Sequence, residues 1–196
     1  INILCSIAPQ ITKYAPNAVY VIVSNPVDVM TYVFHKITNI PENRIIGSGN
    51  TLDTARLRYS LSDHFQVAQK NAHAYVYGEH GDSSFIPWSL AAISGCTLEE
   101  FEDLMLKEGI VTERVDKDET LRYVQKSGGE IIAKKGATFY AVSASVNKIC
   151  TALTSAYDSI STVSTMFHGE YGIEDICLSA MTIIGPEGVK GRVPAE

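Results

Sequence analysis

The chain has 196 residues, 45% of them hydrophobic and 19% charged, and its formal net charge is −6 at pH 7. This composition is typical of a soluble globular protein with one large core or parts of two. The mild acidic excess gives no reason to expect nucleic acid or an anionic membrane as a partner, and no apolar run approaches the length of a membrane span.

The first quarter of the chain predicts the end of a doubly wound α/β unit. Residues 1–16 have the pattern of an amphipathic helix, and the continuous apolar run at 19–24 predicts a parallel strand buried on both faces. A helix is predicted at 26–38 and another strand at 44–47. Strand, helix and strand within about thirty residues indicate a parallel sheet. We therefore place a domain boundary at 49–50.

The remainder predicts a mixed region of helices and strands without internal repeats. It opens with a helix at 51–65, for which Thr51 is the predicted N-cap. Thr97 and Glu100 have the spacing of a capping box at the start of a later helix. The other predicted elements are strands at 74–77 and near 85–93, a long helix to Lys135 ended by Gly136, a helix at 138–157, strands at 162–167 and 176–184, and a hairpin turn at 185–188 into a third strand.

The four cysteines are widely spaced along the chain and lie in apolar contexts. No Cys-x-x-Cys pair or Cys/His cluster is present, so the sequence predicts neither a metal site nor a disulfide framework. We expect buried thiols in a reducing cytoplasm. The four residues are Cys5, Cys96, Cys150 and Cys177.

A histidine between two glycines is the first candidate for chemistry. His80 follows the predicted strand at 74–77, with Gly78 before it and Gly81 after it. Glycines leave room for the ring to face a pocket, and imidazole titrates near neutral pH, as a proton-transfer residue must. The alternative is an ordinary histidine of a surface loop.

An acidic and a basic residue on one helix face are the second candidate. Asp53 and Arg56 are three residues apart near the start of the predicted helix at 51–65. A carboxylate can orient an imidazole, and a guanidinium can bind a carboxylate through two parallel hydrogen bonds. The alternative is a surface ion pair, which contributes little.

Asn25 is the third candidate, because it follows the apolar strand at 19–24 directly. Ligands of open α/β sheets collect at the carboxyl ends of the strands, where this side chain is expected. The alternative is that Asn25 is only a turn residue or a helix N-cap.

The three segments VSNPVD, LDTARLR and GEHGDSS, in this order and spacing, resemble the L-lactate/L-malate dehydrogenase family. The resemblance extends over essentially the whole chain, and within the family it is closest to bacterial L-lactate dehydrogenases. It implies that residues 1–49 are the C-terminal part of a Rossmann NAD-binding domain. Residues 50–196 would then form the α+β catalytic domain.

The resemblance implies reversible hydride transfer between NADH and a 2-keto acid, with L-lactate dehydrogenase as the expected activity. His80 would give and take the proton, Asp53 would orient its ring, and Arg56 would bind the substrate carboxylate. Asn25 would lie beside the nicotinamide and the reacting oxygen. Malate and other L-2-hydroxy acids stay open as substrates, because the loop that selects the substrate in this family precedes the segment given by the sequence.

Three further residues are implied as cofactor or substrate contacts. Thr138 matches the family position beside substrate and nicotinamide, and a helix N-cap is an equally good interpretation. Val142 would pack on the nicotinamide ring, with core packing as the alternative. Val23 would contact the cofactor.

Arg58 and His73 suggest regulation. Arg58 is two residues beyond Arg56 and so points to another side of the helix. In bacterial lactate dehydrogenases that respond to fructose 1,6-bisphosphate, a matching Arg and His bind the phosphates across a subunit interface. We expect an allosteric homotetramer of this type; the alternative is a solvated arginine and an exposed histidine.

The chain begins at Ile1 without a methionine and contains no Gly-x-Gly-x-x-Gly sequence. If the resemblance holds, roughly a hundred residues with the first βαβ units would precede it, and a helix would follow Glu196. We expect the 196 residues alone to bind NADH poorly and to be inactive. A function of another class is a non-catalytic remnant that acts only through association.

Overall fold

The computed structural model describes residues 1–194, which form six α-helices, four short 3₁₀ helices and eight strands. The helices are α1 (Asn2–Tyr14), α2 (Val27–Ile37), α3 (Thr51–Phe65), α4 (Leu98–Lys107), α5 (Lys117–Lys135) and α6 (Tyr140–Thr154). The strands are β1 (Tyr20–Ile22), β2 (Ile45–Gly47), β3 (Ala72–His73), β4 (Ala92–Ile93), β5 (Cys96–Thr97), β6 (Ser159–His168), β7 (Glu174–Gly185) and β8 (Gly188–Arg192). No helix within the described residues is both long enough and apolar enough to cross a membrane.

A five-stranded sheet runs through both parts of the chain in the order β1-β2-β6-β7-β8. Strands β1 and β2 are parallel, with α2 as their crossover, as the sequence predicts. Strand β2 then pairs antiparallel with β6 at Gly47 and Ser164. A Cβ atom on Gly47 would lie 2.9 Å from the Cβ of Ser164 and 2.4 Å from Oγ1 of Thr31. Only glycine therefore permits this approach of the two strands.

The largest hydrophobic core lies under a second sheet of order β3-β4-β5. Helix α3 contributes Leu57, Leu61 and Phe65, each with at most 1% of its surface exposed. The Phe65 ring packs edge-on against Phe101 of α4 at a centroid distance of 5.2 Å. Because α3 is fixed by this core along one face, its other faces can present side chains at defined positions.

The predicted strands at 74–77 and 85–93 are wrong over most of their length. The backbone of 74–76 pairs with side chains of α3: the Val76 N–H donates to Oγ1 of Thr54 at 3.0 Å, and the Ala74 carbonyl accepts from Nε of Arg58 at 3.1 Å. These bonds replace the ladder that a strand would need. Residues Trp88–Leu90 form a 3₁₀ helix, so only Ala92–Ile93 of the second prediction is a strand.

Two of the predicted helix caps are confirmed and two are wrong. Thr97 and Glu100 form the capping box, and Gly136 ends α5 with a φ of 77°. Thr51 and Thr138 are wrong as N-caps, because α3 begins after Asn50 and α6 after Phe139, neither with a side-chain cap bond. The Thr51 hydroxyl instead donates across the core to the Thr162 carbonyl at 3.4 Å.

The expectation of four buried thiols is wrong for three of them. Cys5, Cys96 and Cys150 are exposed, and Cys177 on β7 is buried. Apolar neighbours in sequence misled the prediction, since residues of an amphipathic helix or an edge strand alternate between core and solvent. Burial raises the pKa of the Cys177 thiol to about 12, so this sulfur stays protonated.

Candidate active site

The three sequence candidates meet at one cavity of about 230 Å³. Helix α3, the loop between Tyr77 and Phe85, the end of β1, and the junction of α5 and α6 supply its walls. The predicted residues among its lining are Asn25, Asp53, Arg56, His80, Thr138 and Val142. Val23, which is 37% exposed, lies outside this lining, so its cofactor contact stays a prediction.

The Asp53 carboxylate holds both charged partners at once. Its Oδ2 lies 2.6 Å from Nδ1 of His80, and its Oδ1 accepts from Nη1 of Arg56 at 2.8 Å. Asp53 is 5% exposed, so water competes little for these oxygens. With Nδ1 facing a carboxylate, His80 carries its hydrogen there, and Nε2 has no partner among residues 1–194. The free nitrogen is therefore the one available to a substrate.

The hydrogen bond that His80 donates to the Asp53 carboxylate raises the pKa of His80 above its ordinary value. The negative charges of Asp53 and Asp28 act in the same direction, whereas burial and the positive charge of Arg56 lower it. The hydrogen bond to Asp53 has the largest effect, so the His80 ring holds its proton to a higher pH than a free imidazole does. This favours a group that donates a proton near neutral pH.

Arg56 has free hydrogen-bond donors for a second anion. Only its Nη1 is engaged by the protein among residues 1–194, and its side chain is 13% exposed. Nη2 faces Gly128 of α5, where a Cβ atom would already be in van der Waals contact at 3.7 Å, so the glycine places no side chain against the guanidinium. A guanidinium with one free edge in a cavity can bind a carboxylate through two parallel hydrogen bonds.

The loop that carries His80 is held on both sides by groups that the sequence reasoning missed. Gly78, with a φ of 87°, exchanges backbone hydrogen bonds with Ser179 of β7. Nε2 of Gln125, on α5, donates to the carbonyls of Asp82 and Ser84 at 3.0 Å each. Gln125 has no local signal that could reveal it, since its partners are more than forty residues away.

Two other contacts to this loop come from Asn50 and Asp28, to which the sequence assigns no role. Nδ2 of Asn50 donates to the Gly78 carbonyl at 3.2 Å, and Oδ2 of Asp28 accepts from the His80 N–H at 2.7 Å. Asp28 lies within the VSNPVD segment, and from sequence alone its carboxylate in the first turn of α2 is explained by a favourable interaction with the helix dipole. Only the tertiary structure reveals its partner.

Arg58 and His73 do not line this cavity, and for Arg58 the helical spacing predicts this. The Arg58 guanidinium is 4.9 Å from the centre of the Tyr75 ring and borders a second cavity that Lys148 also lines. Burial, followed by the charge of Arg58, lowers the pKa of Lys148. His73 is exposed on β3. Within the described residues, no cluster of three or more metal-ligating side chains occurs.

The chain matches two family descriptions along its length. Residues 50–195 match the lactate/malate dehydrogenase alpha/beta C-terminal domain, and residues 1–47 match the lactate/malate dehydrogenase NAD binding domain.

Named relatives agree with these matches. The chain is 42% identical over 191 residues to L-lactate dehydrogenase 1 of Clostridium acetobutylicum, covering 96% of this chain and 59% of that protein. It is 42% identical over 185 residues to the L-lactate dehydrogenase of Acetivibrio thermocellus, covering 94% and 57%. The solved L-lactate dehydrogenase from Clostridium thermocellum superposes with a TM-score of 0.88 at 37% identity, covering 99% of this chain and 62% of that one.

The chain thus spans less than two thirds of the length of these relatives. The predicted fold class, the end of a Rossmann sheet followed by an α+β catalytic part, is confirmed by the two family matches and the structural likeness. The chain belongs to the lactate/malate dehydrogenase family.

Proposed function

We propose that the intact protein is an NAD-dependent L-lactate dehydrogenase, which reduces pyruvate to L-lactate reversibly. The observation that carries the proposal is the single carboxylate of Asp53 bound to both His80 and Arg56. This arrangement places a proton donor, His80, and an anion-binding group, Arg56, on the two oxygens of one buried carboxylate. The names of the relatives support the choice of lactate.

The cavity suits the nicotinamide end of NAD. Asn25 offers a neutral amide, while Val142 and Ile132 offer an apolar wall for a flat ring. A volume of about 230 Å³ is too small for the whole dinucleotide, and the sequence contains no Gly-x-Gly-x-x-Gly phosphate loop. NADH would supply the hydride when bound. We expect these 196 residues alone to bind it poorly.

In this mechanism Arg56 binds the carboxylate of pyruvate through its free edge, which fixes the keto group near His80. The protonated Nε2 of His80 donates to the keto oxygen and transfers its proton as that oxygen gains negative charge. Asp53 stabilises the positive ring before transfer and holds its orientation. In the reverse direction the neutral ring takes the hydroxyl proton of lactate. Thr138 and Asn25 would contact substrate and nicotinamide from the opposite walls.

Steady-state rates of the full-length enzyme with pyruvate and oxaloacetate test the substrate. We expect a higher kcat/KM for pyruvate, because its methyl group needs no second cationic partner. Faster reduction of oxaloacetate, or of a branched 2-keto acid, would contradict the choice of lactate. Absence of activity with every 2-keto acid would favour a remnant that acts by association.

We also propose that the enzyme is a homotetramer activated by fructose 1,6-bisphosphate through Arg58 and His73. Three observations support this. Arg58 donates to the Ala74 carbonyl, which follows His73 directly, and Lys148 adds positive charge nearby. None of these three basic side chains forms an ion pair within the described part of the chain. A dianionic phosphate would balance them.

Activation by the bisphosphate should be lost in an Arg58→Gln, His73→Ala variant that keeps its unactivated rate. Lys107→Gln is the matched control, because Lys107 is an exposed cation at the far end of α4. Initial rates at rising bisphosphate concentration, with sedimentation to measure assembly, provide the readout. A parent enzyme that does not respond to the bisphosphate would end the proposal.

We propose a cytoplasmic location for the enzyme. The three exposed cysteines support it, since free surface thiols persist in reducing compartments.

A further inference from the structure

A buried carboxylate lies behind the His80 loop. Asp28 is the second residue of α2 and is 8% exposed. Its Oδ2 accepts from the backbone N–H of His80 at 2.7 Å, and its Oδ1 accepts from the hydroxyl of Ser164 on β6 at 2.5 Å. One side chain thus ties the main chain of the candidate catalytic residue to a helix and to a strand of the large sheet.

Burying the negative charge of Asp28 is energetically unfavourable, so a partner that stabilises this charge is expected. No lysine, arginine or histidine side chain forms a salt bridge with it within residues 1–194. An asparagine could accept from the same N–H without this cost. Two hydrogen bonds and the positive end of α2 stabilise the carboxylate in part. The remaining partner is the His80 ring, whose positive charge Asp28 favours.

We propose that Asp28 is a positioning residue for the reaction of His80: it fixes the loop at the His80 amide, and its negative charge adds to that of Asp53 in stabilising the protonated ring. The role of the ring in this statement rests on the proposed function. Asp28 itself touches neither substrate nor cofactor in this scheme. It acts through the atoms of His80.

The charges around Asp28 and His80 determine in which direction the loss of the Asp28 charge shifts the pKa of His80. His80 faces Asp53 and Arg56 from α3 and Asp28 from α2, and Glu79 of the same loop repels the Asp28 charge. Burial raises the pKa of the Asp28 carboxyl, while the bonds from Ser164 and the His80 amide lower it. Removing the Asp28 charge therefore withdraws one of the two negative charges that hold a proton on His80.

Asp28→Asn in the full-length enzyme separates charge from anchoring. The amide oxygen can still accept from the His80 N–H, and the amide nitrogen can donate to Ser164. We expect the pKa of His80, measured by NMR titration of labelled histidine, to fall by about half a unit or more. The alkaline limb of the pH profile for pyruvate reduction should move to lower pH by the same amount, because the protonated ring is lost earlier.

Asp28→Ala should also release the loop and lower kcat/KM for pyruvate by about 10- to 100-fold. Gln125→Ala is the matched control, because it removes another anchor of the loop and leaves every charge in place. It should lower kcat without moving the pKa of His80. Assignment of the His80 signal comes from its absence in His80→Gln.

An unchanged His80 pKa in Asp28→Asn would overturn the proposal, and so would the same pKa shift in Gln125→Ala. If Asp28→Ala does not fold, Asp28→Asn still decides the matter. The titration needs no turnover, so it also separates this proposal from the proposed function: an enzyme inactive on 2-keto acids would refute the latter and leave the electrostatic link between Asp28 and His80 measurable.

Discussion

His80→Asn is expected to lower kcat/KM for pyruvate by about 10³-fold or more, because it removes both the proton donor and the positive charge at the keto oxygen. Asparagine keeps a hydrogen-bonding side chain of similar reach, so the loop should retain its shape. Rates of pyruvate reduction by the full-length enzyme, measured from pH 5 to pH 10, provide the result.

The pH dependence of the rate shows which protonation state of His80 each direction of the reaction needs. In the parent, pyruvate reduction should be fully active below the pKa of His80 and should decline as the pH rises through it. Lactate oxidation should show the opposite limb, since it needs the neutral ring. Because Asp53 raises that pKa, both midpoints should lie above the ordinary value for histidine.

The His80→Asn variant should show neither limb. His168→Asn serves as the control, because His168 is exposed and pairs with Glu42 outside the cavity. A loss of less than tenfold in His80→Asn would show that the proton comes from another group.

Arg56→Lys is the second change with a large expected effect: kcat/KM for pyruvate should fall by about 100-fold or more, chiefly through a higher KM. Lysine keeps the charge but cannot bond Asp53 on one edge and a carboxylate on the other. A hydrogen bond between charged groups contributes about 1.5–3 kcal/mol, or a factor of about 10 to 160, and the two-point geometry that lysine lacks involves two such bonds.

A neutral substrate makes this test specific. The parent should strongly prefer pyruvate to pyruvamide, which has an uncharged amide in place of the carboxylate, and the preference should shrink in Arg56→Lys. Arg114→Lys is the control, since Arg114 pairs with Glu102 of α4 and neither residue lines the cavity. If Arg56→Lys kept the parent preference, another cation would have to bind the carboxylate.

The parts of the site that the sequence could predict are those set by short-range geometry. Asp53 and Arg56 are separated by three residues of one helix, so their shared face follows from helical period alone. Helix α3 begins and ends where the pattern predicts, at Thr51 and Phe65. The glycines beside His80 likewise mark an accessible turn in the sequence itself.

The parts that sequence could not predict depend on contacts between distant residues. The run at 74–76 has the composition of a strand, yet its backbone bonds to Thr54 and Arg58 of a helix. Asp28 lies 52 residues from His80, and no local pattern distinguishes its carboxylate from an ordinary first-turn acid. The prediction that all four cysteines are buried failed for the same reason, because the exposure of a side chain depends on which elements pack against its face of the helix or strand. The boundary at 49–50 stays a prediction.

The contact of Gly47 with Ser164 limits modular exchange within the family. The segment matching the NAD binding domain ends at residue 47, and there its last strand hydrogen-bonds to a strand of the other segment. In a chimaera joined at this point, a residue larger than glycine at position 47 would clash with Thr31 and Ser164. When nucleotide-binding and catalytic segments from different dehydrogenases are combined, the residues at positions 31, 47 and 164 must therefore be chosen to fit one another.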